Sequence, residues 1–202
     1  EIAAADSGIE SNSESDADFE GAIVRAVLDP DEAVHEAAWA VGSIAAETVE
    51  ILDSLLTTAV TMAAIEHQRG RQIMVHAAGL ADLETGRTAV LIGNSGTGKT
   101  TSSRVLGTQF GYVTDETLAF TPDFTPLPYP KPLSVLPEGR HWGKVAISPD
   151  DLGLATAPAN LTLGAIVLLN RVEEGPLEPE IREVPLTQAV ALIAENTSFF
   201  AE

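Results

Sequence analysis

The chain has 202 residues, and 30 acidic against 11 basic side chains give it a formal net charge of −19. A protein so acidic repels nucleic acid and anionic membrane surfaces, so we expect neither as a partner. The sequence has no cysteine, which excludes disulfides and thiolate chemistry, and no apolar run is long enough to span a membrane. Its acidic start lacks the basic region of a signal peptide, so we expect a cytoplasmic location.

Residues 1–69 predict an acidic N-terminal segment followed by helices. The first stretch of this part is rich in acids and serine and predicts a flexible arm. Asp29-Pro30-Asp31 is typical of a helix start, because acids are favoured near the positive end of the helix dipole. Apolar residues at helical spacing then continue to about residue 67, with a division expected at Gly42 or at Thr57-Thr58.

Residues 70–202 predict an α/β domain with a mixed, partly antiparallel sheet. Segments 72–76 and 88–92 are prone to form strands and are separated by turn residues, so we expect them to pair as an antiparallel hairpin. The other predicted elements, in chain order, are a helix over 100–108, a strand over 112–114, a buried strand over 161–169 and a final helix over 186–194.

The segment 93–100, Gly-Asn-Ser-Gly-Thr-Gly-Lys-Thr, has the spacing of a P-loop between a strand and a helix. Its glycines let successive N–H groups turn toward phosphates at the start of the following helix. Lys99 adds a cation for the β- and γ-phosphates, and Thr100 offers a hydroxyl to Mg²⁺. We therefore predict a site for a nucleotide, ATP with Mg²⁺. The expected contacts are Asn94, Ser95, Gly96, Thr97, Gly98, Lys99, Thr100 and Thr101.

Two adjacent acids, Asp115 and Glu116, end the next predicted strand. The short interval from Lys99 leaves room for one helix and a turn. We therefore expect this strand to lie beside the one entering the P-loop, with Asp115 near the γ-phosphate. Asp115 either binds Mg²⁺ or accepts the proton of an attacking hydroxyl, and Glu116 takes the role left vacant. The predicted metal site consists of Thr100, Asp115 and Glu116.

In this order, residues 75–80, the hairpin, the P-loop, 113–116 and 130–133 resemble HPr kinase/phosphorylase-like proteins. These belong with the phosphoenolpyruvate-carboxykinase-like P-loop kinases, and the resemblance covers roughly residues 73 to 133. It implies an HPr-kinase-like core and a kinase that transfers the γ-phosphoryl group of ATP to a hydroxyl, often a serine of a protein or peptide.

The resemblance also implies site residues, because Asp115 matches the catalytic acid and His76 matches the histidine on the preceding strand. This chain has Thr100-Thr101 and Asp115-Glu116 where HPr kinases have Ser-Glu and Asp-Asp, which predicts an acceptor other than HPr. Lys131 lies between two prolines, and we expect it to be exposed, as lysines usually are.

Two other functions remain open at this point. One is a non-catalytic nucleotide-binding module that signals to a partner through the proline-rich segment 122–137. The other is a small-molecule kinase of carboxykinase type.

Overall fold

The computed structural model of the chain describes residues 23–136, 144–172 and 178–197, so the predicted acidic arm lies outside the described residues. The elements within them, in chain order, are β1 (Ala26–Leu28), α1 (Glu32–Ala40), β2 (Ile44–Ala46), α2 (Val49–Gln68), β3 (Ile73–Val75), β4 (Ala77–Ala81), β5 (Arg87–Ile92), α3 (Lys99–Leu106), β6 (Gly111–Thr114), β7 (Leu118–Phe120), β8 (Pro126–Leu127), β9 (Leu133–Val135), β10 (Val145–Ile147), β11 (Ala155–Thr156), β12 (Thr162–Leu168) and α4 (Leu186–Glu195).

These residues form two compact units. The first contains residues 23–68, 134–136 and 144–146, and the second contains 69–133, 147–172 and 178–197. Within these ranges, no helix is both long enough and apolar enough to cross a membrane.

The first unit contains a short β-α-β arrangement, in which β1 and β2 pair in parallel across α1. The helix α1 begins after Asp31, whose carboxylate accepts the N–H of Ala33 at 2.9 Å and so caps the helix. Gly42 divides the predicted helical stretch, adopting a φ of 73° that favours glycine. The sequence did not predict β2, which follows Gly42. Two of its three residues are alanine, and the strand with which it pairs is distant in sequence.

The second unit is built around a mixed sheet of five strands in the order β11-β6-β4-β5-β12, counted over the described residues. The central strand β4 is antiparallel to both neighbours, whereas β11 and β12 run parallel to β6 and β5. The predicted mixed α/β sheet is therefore confirmed. One core cluster collects apolar residues of β4, β5, β6 and β7, and Ile193 of α4 packs against it.

The hairpin that leads into β5 is antiparallel, but the prediction named the wrong partner strand. Its first strand is β4, whereas β3 pairs with β7 in a separate three-stranded sheet. Alanine and glycine, which make up most of β4, are poor signals for a strand. Their small size suits the centre of the sheet, since a Cβ on Gly79 would lie 3.0 Å from the Cβ of Val113.

The strand that ends at Asp115 does not lie beside the strand that enters residues 93–100, the glycine-rich segment, which corrects a second prediction. The strand β4 lies between β5 and β6. The apolar run predicted to be a buried strand is β12, an edge strand whose Leu163, Ile166 and Val167 are 38%, 43% and 39% exposed. The helix after the glycine-rich segment, the strand before Asp115 and the final helix are confirmed.

Candidate functional site

The glycine-rich segment, residues 93–100, connects β5 to α3. Gly96 and Gly98 have φ values of 85° and 107°, in the left-handed region that favours glycine. Gly98 is also the N-cap of α3. Because glycine has no side-chain acceptor, it leaves the first N–H groups of the helix available to an anion.

The Lys99 side chain folds back over the start of this segment. Its ammonium donates to the carbonyl oxygens of Gly93 at 2.5 Å and Asn94 at 3.3 Å. An ammonium has three N–H donors, so one remains for a ligand. Burial lowers the pKa of Lys99, and the charges of Asp115 and Glu116 offset this only in part.

The side chains of Thr100 and Asp115 are in contact, although Thr100 lies on α3 and Asp115 follows β6. The Thr100 hydroxyl donates to Asp115 Oδ2 at 3.1 Å, and Asp115 is 4% exposed. The lone pairs of the hydroxyl oxygen stay free while its proton points at the carboxylate. A hydroxyl and a carboxylate in contact offer the hard oxygen ligands that Mg²⁺ prefers.

The other oxygen of Asp115 is held by two residues that the sequence did not assign to the site. Tyr112 OH lies 3.1 Å from Asp115 Oδ1 and 3.1 Å from the Lys131 carbonyl oxygen, so its single proton is shared between two acceptors. Burial and the Asp115 charge raise the pKa of Tyr112 far above its ordinary value. The phenol is therefore a permanent hydrogen-bond donor.

Lys131 is the second of these residues, and the prediction that it is exposed was wrong. Its side chain is 3% exposed, and its ammonium lies 3.3 Å from Asp115 Oδ1 and 2.9 Å from Glu116 Oε2. Burial lowers the pKa of Lys131, but the two carboxylates outweigh burial and the net direction is upward. The prolines on either side were the available signal, because they stiffen the segment enough to hold a lysine inward.

Glu116 stands at the rim of this cluster, with 46% of its side chain exposed and its carboxylate paired with Lys131. A metal ion could recruit Glu116 only in competition with that ammonium. Of the predicted metal ligands, the structure therefore brings Thr100 and Asp115 together and turns Glu116 toward Lys131.

His76 lies at the bend between β3 and β4 rather than within a strand, and it is half-buried. Burial and the nearby Lys99 charge lower the pKa of His76, while Glu116 and Asp115 act in the opposite direction. Its backbone N–H donates to the Asn196 carbonyl oxygen at 2.7 Å, which ties the bend to the end of α4. The imidazole is therefore neutral near pH 7 and able to accept a proton.

The remaining predicted contacts lie on the glycine-rich segment and the first turn of α3. The exposed residues are Asn94, Ser95, Gly96 and Thr101, and the partly buried ones are Thr97 and Gly98.

Within residues 23–136, 144–172 and 178–197, no three His, Asp or Glu side chains are grouped to hold a metal ion by themselves. A divalent cation at Thr100 and Asp115 would therefore depend on oxygen atoms of a ligand as well. Comparison of the chain with known proteins returned no matching family model and no matching curated protein.

Proposed function

We propose that the glycine-rich segment is a P-loop that binds the phosphates of ATP together with Mg²⁺. The observation that carries this proposal is the 3.1 Å contact between the Thr100 hydroxyl and Asp115 Oδ2. It joins the segment expected to hold phosphate to a buried acid from another strand. Lys99 supplies a cation to the same segment, and the start of α3 supplies N–H donors.

The donor set fits Mg-ATP in chemistry and in charge. Mg²⁺, when bound, would neutralise charge on the β- and γ-phosphates. The Thr100 hydroxyl can offer a lone pair to the cation while it donates its proton in a hydrogen bond to Asp115 Oδ2. Lys99 and Lys131 balance Asp115 and Glu116 locally, so the cluster lacks the large negative charge of the whole chain.

The geometry favours Asp115 as a metal ligand over Asp115 as a proton acceptor. Tyr112 and Lys131 occupy Oδ1, and Oδ2 faces Thr100. Only Oδ2 is left to face an attacking hydroxyl, and the Thr100 hydroxyl already donates to it. The same contacts hold Oδ2 in place for a metal ion, since Lys131 and Tyr112 orient the carboxylate.

We further propose that the protein is an HPr-kinase-like kinase that transfers the γ-phosphoryl group to a hydroxyl, such as a serine of a protein or peptide. His76 is the group best suited to take the hydroxyl proton, because its imidazole is neutral near pH 7. It also lies near the site, since the charges of Lys99, Glu116 and Asp115 all affect its pKa. Lys99 stabilises the charge that develops on the transferring group. The resemblance over residues 73–133 supports this reaction class.

A non-catalytic nucleotide-binding module remains a second candidate, supported by the position of Lys131. This residue belongs to the proline-rich segment and touches Asp115 and Glu116 directly. If the Asp115 carboxylate moved when Mg-ATP bound, Lys131 would lose or change its ion pair. The position of the proline-rich segment, to which a partner would bind, would then depend on the nucleotide.

Calorimetric titration with Mg-ATP tests the binding proposal. Lys99→Ala should weaken binding by roughly 1.5 to 3 kcal/mol, the usual loss for a charge-assisted hydrogen bond. Lys144→Ala, which removes the same charge from an exposed position, is the matched control and should bind as the wild type does. Equal affinities for the wild type and Lys99→Ala would show that the segment does not hold phosphate.

Release of ADP separates the kinase from the module. Wild-type protein with Mg-ATP is incubated with an extract of its own cells and with hydroxyl-bearing peptides, and ADP and phosphorylated products are measured. A kinase releases ADP in step with a phosphorylated product, and His76→Gln slows this release. If ATP binds and no ADP forms with any acceptor, the kinase proposal fails and the module remains.

A further inference from the structure

A cleft of about 940 Å³ opens beside the glycine-rich segment, within the second unit. One wall consists of Gly93, Asn94 and Thr97, and the others come from residues 168–172, residues 178–184 and α4. The chain leaving β12 passes next to the glycine-rich segment because the Leu169 N–H donates to the Ile92 carbonyl oxygen at 2.7 Å. A cleft of this volume is in the range that holds small organic ligands.

The β12 side of the cleft lies across β5 from Asp115, whereas its α4 side ends at Asn196, whose carbonyl oxygen accepts the His76 N–H. In the sheet order, β4 and β6 with Asp115 lie on one side of β5, and β12 lies on the other. Under the proposed function, Thr100 and Asp115 would hold Mg²⁺, which would neutralise charge on the phosphates. The phosphoryl end of the nucleotide then lies toward β6, and the rest of the molecule has room to extend toward β12.

The lining of the cleft suits an aromatic base and a sugar. Leu168, Val184 and Leu192 supply apolar surface, while Gln188 and Asn94 supply amide groups. A flat ring system with polar edges needs this mixture of surfaces.

Two of the few cations in this acidic chain, Arg171 and Arg182, also line the cleft, together with two acids, Glu178 and Glu180. Neither guanidinium forms an ion pair with another residue in the part of the chain that the structure describes. A planar guanidinium without a carboxylate partner is available to stack on a nucleobase.

We propose that this cleft binds the nucleoside part of the nucleoside triphosphate, with Arg171 and Arg182 contacting the base and sugar. The inference rests on the proposed function, because it takes the phosphates to lie in the glycine-rich segment. It adds a second binding surface, which recognises the part of the ligand that carries no phosphate.

Calorimetry with two ligands separates the two surfaces. Mg-ATP contains a nucleoside, and Mg-tripolyphosphate carries only the phosphate chain. The variant Arg171→Ala/Arg182→Ala should bind Mg-ATP roughly tenfold more weakly, as the loss of desolvated cation–π contacts predicts. Its affinity for Mg-tripolyphosphate should stay within about twofold of the wild type, the shift expected from long-range charge alone.

Arg104→Ala/Lys144→Ala is the matched control, since both residues are exposed and neither lines the cleft. It measures the general effect of removing two positive charges, and circular dichroism checks that each variant is folded. Lys99→Ala should weaken the binding of both ligands.

The possible outcomes are distinct. If the double variant weakens both ligands equally, the arginines hold phosphate and the nucleoside assignment is overturned. If it changes neither, the cleft does not contact the nucleotide, and the inference fails while the P-loop proposal stands. If the wild type binds neither ligand, the P-loop proposal itself is wrong, and the inference falls with it.

Discussion

Replacing Lys131 with methionine tests whether the buried cluster around Asp115 is as tightly balanced as its geometry indicates. Methionine keeps the apolar stem and removes the ammonium, which lies 3.3 Å from Asp115 Oδ1, 2.9 Å from Glu116 Oε2 and 3.1 Å from the Pro132 carbonyl oxygen. The variant leaves the Asp115 carboxylate buried without its cation. Breaking a buried ion pair in this way typically costs about 3–5 kcal/mol of unfolding free energy.

We expect a value near the lower end, about 3 kcal/mol, for two reasons. Thr100 and Tyr112 still donate to the carboxylate, and Glu116, with 46% of its side chain exposed, can turn to water. Asp115→Asn in the same chain removes the stranded charge, so the double variant should regain about 1–2 kcal/mol relative to Lys131→Met. Lys144→Met, at an exposed position, should lie within about 0.5 kcal/mol of the wild type.

Native-state amide hydrogen exchange of β4, β5 and β6 is the assay, because it reports the stability of the second unit by itself. The pKa of Lys131 is raised above its ordinary 10.5, so its stabilising charge is complete below that value and is lost only as the pH rises through the folded-state pKa. The difference between wild type and Lys131→Met should therefore be constant between about pH 6 and 9. A loss no larger than that of Lys144→Met, or no recovery in the double variant, would refute the reasoning.

Three further predictions concern the proposed site. Asp115→Asn should lower the affinity for Mg-ATP and flatten its dependence on Mg²⁺ concentration in calorimetry, whereas unchanged affinity with turnover reduced roughly 10²- to 10⁴-fold would make Asp115 the proton acceptor. The folded-state pKa of His76 lies below its ordinary 6.5, so stability should fall as the pH drops below 6.5. In urea titrations, the free energy of unfolding of His76→Gln should no longer fall below pH 6.5. An unchanged pH profile in this variant would show that His76 does not cause the loss of stability. EDTA should abolish most ATP binding, since the chain carries a net charge of −19; equal binding without metal would contradict the charge argument.

The elements next to the glycine-rich segment were predictable because their signals are local. An alternating β-branched strand, glycines at turning positions and a helix start after Gly98 lie within a short stretch of chain. The strand over Gly111–Thr114 and the helix over Leu186–Glu195 carry similar local patterns, and the structure contains both. Asp115 was recognisable as a site candidate for the same reason, since it ends a short strand soon after Lys99.

The tertiary structure decided what depends on residues far apart in the sequence. The alanine-rich β4 becomes the centre of the sheet because it pairs with both β5 and β6, and a Cβ at Gly79 would crowd Val113 of β6, which no local pattern shows. The strand β12 is exposed because it lies at the sheet edge, although its composition is that of a buried strand. Lys131 is buried because the chain brings its ammonium to two carboxylates sixteen and fifteen positions away, and this pairing offsets the desolvation that normally keeps a lysine in water.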